Sequence, residues 1–186
     1  MSSILPLWAP ILLSAVIVWV ASSIVHMVIK WHNNDQIALP NESAVADALR
    51  GTPAQDYRIP YPTTPGDFRS AEFQERVKRG PMAVITIMEG DMMTAFKKAL
   101  LLWFVYLVVV AFVAGHVAHA MLGPGAEYSE VFHTVGLTAY AALGLGIVQQ
   151  SIWWGKPWKP TIKSMVDALL YASLMAGTFG WLWPKM

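Results

Sequence analysis

Four long apolar segments alternate with polar ones along this chain. Each holds about 20 mainly apolar residues, enough for a helix to cross the roughly 30 Å hydrocarbon core of a bilayer. A Gly-Pro-Gly turn follows the second segment and Pro184 follows the fourth, and both are typical helix stops. The pattern predicts transmembrane helices at residues 1–30, 97–122, 131–153 and 162–183. The first lacks a basic leader and its apolar run is longer than that of a signal peptide, so we expect it to be retained as a span.

The fourth segment carries the clearest pattern in the chain. Small residues recur at every fourth position, which places them on one face of a helix. In lipid, such faces let helix backbones approach closely. The predicted helix-packing ladder consists of Ser164, Ala168, Ala172, Ala176 and Gly180. Because the second and third segments are joined by only a short polar link, they must pack antiparallel. The predicted fold class is an all-α integral membrane protein, a four-transmembrane-helix bundle.

Residues 31–96 form the only sizeable polar part, which we interpret as a Pro-rich insert with short helices. One helix is expected to start after Asn41 and another to end at Gly80. The run Met82–Met88 has strand composition, whereas the prolines from Pro60 to Pro65 exclude a central strand. So little apolar content cannot build a strong core of its own. We therefore expect a cytoplasmic insert lying against the membrane surface or against a partner.

Composition supports a membrane protein and removes several classes of function. Hydrophobic residues make up 55% of the chain and charged ones only 13%, whereas soluble domains have about 25% charged residues. The net charge of +1 argues against nucleic acid as a partner. With no cysteine in the chain, disulfides, iron–sulfur clusters and cysteine nucleophiles are excluded. Nucleotide-binding and hydrolase motifs are also missing, which favours a non-catalytic protein.

Basic residues predict the orientation. They flank the loops between the first and second and between the third and fourth segments, and the link between the second and third has none. By the positive-inside rule, both termini face outward and residues 31–96 face the cytoplasm of a bacterial-type inner membrane. The basic residues concerned are Lys30, Lys78, Arg79, Lys97, Lys98, Lys156, Lys159 and Lys163, and Lys185 alone disagrees.

Three histidines are candidate metal ligands near the outer face. At 1.5 Å per residue, His116 and His119 of the second segment share a depth with His133 of the third. Three imidazoles suit a zinc, copper or iron ion with an open coordination position. Haem is less favoured, because little beyond Lys185 is available there for its propionates. The competing interpretation is that these are ordinary interfacial histidines.

A second polar group is predicted nearer the other face. His26 and Asp167 reach similar depth, and Tyr171 lies one turn after Asp167. An intramembrane carboxylate is a functional candidate. The alternative is a carboxylate that pairs with Lys163 at the start of its helix. The sequence thus predicts a candidate intramembrane polar site of His26, Asp167 and Tyr171.

Three functional hypotheses follow. The lack of catalytic motifs and the small-residue ladder favour an accessory or structural subunit of a larger membrane assembly, whose partners are the lipid bilayer and other subunits or further copies of itself. The second hypothesis is a protein that binds a transition-metal ion or haem through the outer histidines. The third is a small transporter or proton-conducting protein.

Overall fold

The computed structural model describes residues 5–185, and most of them are helical. Two compact units are present: one contains residues up to Ile37 together with those from Phe96 onward, and the other is Ala38–Ala95. In chain order the elements are α1 (Trp8–Met27), α2 (Glu42–Leu49), β1 (Asp56–Ile59), α3 (Ala71–Arg79), β2 (Ala83–Thr86), α4 (Met92–Met121), α5 (Tyr128–Leu143), α6 (Val148–Trp154) and α7 (Trp158–Trp181).

Three helical segments among the described residues are long and apolar enough to cross a membrane. They are Trp8–Met27, Met92–Met121 and Tyr128–Trp154. Helix α7 is of similar length, but Lys159, Lys163 and Asp167 lie in its first half and lower its mean hydropathy. The membrane character is therefore supported by three spans, and the fourth span stays a prediction.

Helix α7 packs closely against α5 and α1. Three alanines of the predicted ladder, Ala168, Ala172 and Ala176, are at most 2% exposed. At the far end of the ladder, a Cβ on Gly180 would lie 2.7 Å from the Tyr128 ring of α5. The small side chains thus let the two helices approach, as expected where dispersion rather than the hydrophobic effect holds helices together.

Near Leu100 and Trp103, helix α4 meets α1 through large side chains. The indole nitrogen of Trp19 donates to the Leu100 carbonyl at 3.1 Å, and that of Trp103 donates to the Ser22 hydroxyl at 2.9 Å. Such side chains hold the helix axes further apart than alanine and glycine do. An open space lies beside this part of α4, lined by residues of α1, α4, α5 and α7.

The helix boundaries differ from the predicted ones, most clearly in the third segment and at the starts of α4 and α7. The third segment is broken, because α5 ends before Gly144 and the 3₁₀ turn Leu145–Ile147 leads into α6. A Cβ on Gly144 would lie 3.1 Å from that of Ala168, so the break coincides with a close helix contact. Helix α4 starts five residues early, where the Asp91 carboxylate accepts from the Thr94 amide.

Helix α7 begins four residues before the predicted segment 162–183. Thr161 lies inside the helix, which begins at Trp158. Its hydroxyl is 2.6 Å from that of Ser151 in α6. The helix can start before the apolar stretch because its first turn tolerates Pro160, since no amide donor is required there.

The unit Ala38–Ala95 is small and has little core. Strands β1 and β2 pair antiparallel from Asp56 opposite Thr86 to Ile59 opposite Ala83, which adds a two-stranded ribbon to the predicted all-α fold. Of all residues in 38–95, which the structure describes in full, Phe73 alone is buried. This agrees with a segment too polar to stabilise itself strongly.

Candidate functional site

A network of charged side chains joins the loop after α1 to α7. His32 Nε2 lies 2.6 Å from Asp167 Oδ2 on α7, and His32 Nδ1 lies 2.5 Å from Asp35 Oδ2. The imidazole thus bridges two carboxylates. Lys30, with a left-handed φ of 57°, starts the loop that returns His32 toward the helices. Residues 31–37, assigned to the insert by the sequence pattern, therefore belong with the helical unit.

Lys163 completes this network, which we call the His32 network (His32, Asp35, Lys163, Asp167). Its ammonium lies 2.5 Å from Asp35 Oδ1 and donates to the Trp31 carbonyl at 2.8 Å. The hydrogen bond from Lys163 lowers the pKa of Asp35, against the effect of desolvation, and His32 lowers it further. With all four groups ionised, two cations face two anions, so the network is electrically balanced.

His26 adds a second imidazole on the last turn of α1. Its ring stacks on that of His32 with centroids 4.6 Å apart and planes 8° from parallel. His26 Nδ1 lies 3.0 Å from the Ser22 carbonyl. Since a carbonyl can only accept, Nδ1 is the donor in this contact, and in a neutral imidazole Nε2 then keeps a lone pair.

His26, His32 and Asp167 form a three-ligand group. One donor atom from each lies within 4.8 Å of the other two. In a tetrahedral zinc site with bonds of about 2.0–2.1 Å, ligand atoms are about 3.3 Å apart. An ion would have to part His32 from Asp167 slightly and turn the His26 ring out of its parallel stack on His32, because an imidazole binds an ion in the plane of its ring. Both imidazoles also have the outer partner that metal-bound histidines usually have, Ser22 and Asp35 respectively.

A cavity of about 370 Å³ adjoins the three-ligand group. His26 and Asp167 are among its polar lining residues, and its apolar wall includes Leu100, Trp103 and Leu143. Tyr171 also lines it, although its hydroxyl is buried. Among the described residues, this hydroxyl is the only buried side-chain polar atom without a hydrogen-bond partner.

The outer histidines are not part of this group. His116 is exposed and stacks on Phe112, and His133 is exposed with Nδ1 2.7 Å from the Ser129 carbonyl. His119 is half-buried. Among the described residues, the set of three metal-ligating side chains within mutual reach does not include any of them. The outer metal site stays a prediction.

The predicted polar site, His26, Asp167 and Tyr171, lines one cavity. Sequence reasoning missed the roles of His32 and Asp35, although the polar run directly after the first span was a usable signal. Lys163 contacts Asp35 rather than its expected partner on α7. Spacing along a helix could not reveal this, because the loop after α1 supplies the closer carboxylate.

Comparisons with known proteins identify no relative. No family model, curated protein or solved structure matches the chain. Its function is therefore inferred from the site itself.

Proposed function

We propose that this protein is a multi-pass membrane protein that binds a divalent transition-metal ion of the zinc type through His26, His32 and Asp167. The observation that carries the proposal is the three-ligand group, whose donor atoms lie within 4.8 Å of one another. Two imidazoles and one carboxylate suit zinc and leave one coordination position open. The sequence analysis placed a candidate metal site at the outer histidines, and this proposal assigns the ion to different residues.

The surroundings of the three ligands support binding of an ion. The Ser22 carbonyl and the Asp35 carboxylate each pair with the Nδ1 atom of one imidazole, which leaves the Nε2 atoms of both rings for the ion. A zinc ion would replace the proton between His32 and Asp167. The pairing of Lys163 with Asp35 is independent of the ion and would keep the loop on α7.

The proposal is tested by zinc titration of the full-length protein in detergent. We expect about one equivalent to bind to the wild type. His26→Ala is the most direct variant, because this side chain is exposed and bonds only its own helix through Nδ1. Its zinc affinity is expected to fall at least about tenfold, since it removes a ligand rather than an outer partner.

His133→Ala is the matched control. His133 is equally an exposed helical histidine whose Nδ1 bonds the carbonyl four residues earlier. The His133→Ala variant should bind zinc like the wild type. If His133→Ala weakens binding and His26→Ala does not, the outer histidines hold the metal. If the wild type binds less than about a tenth of an equivalent, both the site at His26, His32 and Asp167 and the outer-histidine site are overturned.

For the orientation, we propose four spans in an inner membrane, with both termini outward and the insert cytoplasmic. Support comes from the lysine and arginine distribution. Because the chain has no cysteine, single cysteines can be labelled with an impermeant maleimide. Ser129→Cys and Lys185→Cys should react in intact cells, and Glu75→Cys only after permeabilisation. A Lys185→Cys variant that reacts only after permeabilisation would indicate three spans.

The accessory-subunit hypothesis stays a proposal with its own test. Helix α4 exposes apolar side chains such as Leu101, Val105 and Val109, which lipid would cover as well as a partner helix would. Recovery of a stable partner from native membranes would support it, and a lone stable monomer would not. No contact in the described residues favours a transporter over these roles.

A further inference from the structure

Two of the three proposed metal ligands belong to the wall of one cavity. His26 and Asp167 are among its lining residues, and His32 is not. Asp35 and Asp167 contact the two nitrogens on opposite edges of the His32 ring. An ion bound by all three ligands would therefore lie at the cavity wall. The coordination position that the ligands leave open then faces the cavity, an inference that rests on the metal site proposed above.

The occupied metal site would carry one uncompensated positive charge. Imidazoles bind a metal in the neutral form, so a divalent ion and the Lys163 ammonium bring three positive charges. The carboxylates of Asp35 and Asp167 bring two negative ones. Among the described lining residues Asp167 is the only acidic one, so the protein offers no second anion there. An unpaired charge beside an apolar cavity is costly, and a ligand with a single negative charge would remove that cost.

The rest of the wall determines the body of the ligand. It consists largely of apolar side chains, including Phe96, Leu100, Trp103, Leu143 and Ile147. A hydroxide ion in the open position would also balance the charge. It would leave a space of about 370 Å³ to water, which finds few hydrogen-bond partners on an apolar wall. A hydrocarbon chain fills such a space favourably, and the volume is within the range of small-molecule sites.

The cavity opens at the helix surface. Phe96 and Met27 belong to its lining and are 48% and 58% exposed. Both lie near the ends of helices apolar enough to span a membrane. A ligand would therefore enter from the lipid, and a chain whose head lies at the ion can extend out between these two side chains.

Ser164 offers the head of such a ligand a second contact. It lines the cavity one turn before Asp167 on α7. Its hydroxyl has no hydrogen-bond partner among the described residues, whereas the hydroxyls of Ser22 and Ser23 both donate to the Trp19 carbonyl. A hydroxyl can donate to a carboxylate oxygen, so Ser164 is available to an anion at the ion.

We propose that the cavity binds a single-chain carboxylate, of the fatty-acid class, with one carboxylate oxygen in the open coordination position of the metal ion. The ion selects the charge of the head, and the apolar wall selects the hydrocarbon chain. Without the ion, the Asp167 carboxylate would repel the same head, so binding requires an occupied metal site.

The test uses the full-length protein in detergent with Co²⁺ in place of zinc. Zinc has a filled d shell and no visible absorption bands, whereas the bands of Co²⁺ change with its ligands. We expect about one equivalent of Co²⁺ to bind and decanoate to change its bands in a saturable way. Acetate has the same head with almost no chain, so its affinity should be at least about tenfold lower. Decanol, which has the chain without the charge, should leave the bands unchanged.

Ala99→Phe separates the role of the cavity from that of the ion. Ala99 lines the cavity and is exposed, so a ring can be placed at the wall without overfilling the core. The affinity for decanoate should fall at least about tenfold because the chain loses its apolar contacts, and that for acetate should stay unchanged. Ala141→Phe is the matched control, since Ala141 is also an exposed helical alanine but lies outside the lining. This variant should respond to both carboxylates like the wild type.

Three results would overturn the proposal although Co²⁺ binds: bands that decanoate does not change, equal affinities for decanoate and acetate, or equal effects of decanoate and decanol. Each of them would leave the metal site itself standing. If neither Co²⁺ nor zinc binds, or if His26→Ala binds Co²⁺ like the wild type, the proposed metal site fails and the carboxylate proposal fails with it.

Discussion

The close contact between α4 and α7 can be tested by adding a single methyl group at Gly115. A Cβ at this position would lie 2.7 Å from Cε1 of Phe179, whereas ordinary contact begins at 3.4 Å. At least 0.7 Å must therefore be opened (3.4 − 2.7). The Phe179 ring is 0% exposed, so it cannot turn into free space.

Gly136→Ala supplies the comparison. Gly136 also lies inside a helix, α5, but a Cβ there would be 3.4 Å from that of Ala176, an ordinary contact. Both variants gain the same helix propensity, about 0.5–1 kcal/mol. Only Gly115→Ala has the cost of an overfilled core, about 1–3 kcal/mol. The difference between the two variants therefore isolates the packing term.

The assay is thermal unfolding of both variants in one detergent, followed by tryptophan fluorescence. For a chain of this size, 1 kcal/mol corresponds to about 2–4 °C. Gly115→Ala is thus expected to melt about 2–12 °C below Gly136→Ala. If the melting temperature of Gly115→Ala equals or exceeds that of Gly136→Ala, α4 does not approach Phe179 this closely.

Three further predictions concern polar groups. Asp167→Ala should destabilise the protein by about 1–3 kcal/mol in thermal or denaturant unfolding, because it leaves His32 Nε2 without its acceptor while His32 Nδ1 stays paired with Asp35; Asp47→Ala, which breaks an exposed ion pair, should cost under about 1 kcal/mol. Tyr171→Phe should raise the melting temperature by about 2–12 °C, since it removes a buried hydroxyl without a hydrogen-bond partner, which costs about 1–3 kcal/mol, and a lowered melting temperature would contradict this. The pKa of Asp67 is lowered by hydrogen bonds from two threonines, so its stabilising effect is present above the ordinary value of 3.8 and is lost only as pH falls through the lower folded pKa. An NMR titration of the Thr64 amide, which donates to this carboxylate, should have its midpoint below pH 3.8. A midpoint at or above pH 3.8 would contradict the lowered pKa.

The helices of the structure were largely predictable from local pattern. Length and apolar content are properties of consecutive residues, and they suffice to locate α1, α4 and the segment from α5 to α6. The break at Gly144 was not predictable in this way. It coincides with a close contact to another helix, at Ala168, and no hydropathy pattern within the third segment records that neighbour.

The candidate site was predictable in part. The depth of His26 and Asp167 follows from counting residues along two helices, which is why the sequence placed them together. His32 and Asp35 lie in a loop, where one residue with positive φ, Lys30, changes the direction of the chain. The position of their side chains therefore depends on a turn and not on a periodicity.

The sequence by itself was enough to predict lipid surroundings for this protein, the helices that three apolar stretches form, and the small-residue face of α7. Each of these depends on residue type and spacing along one segment. Only the tertiary structure showed which carboxylates His32 and Lys163 contact and where the helices leave a cavity. It also showed that the Tyr171 hydroxyl is buried without a hydrogen-bond partner. These features depend on distances between segments far apart in the chain.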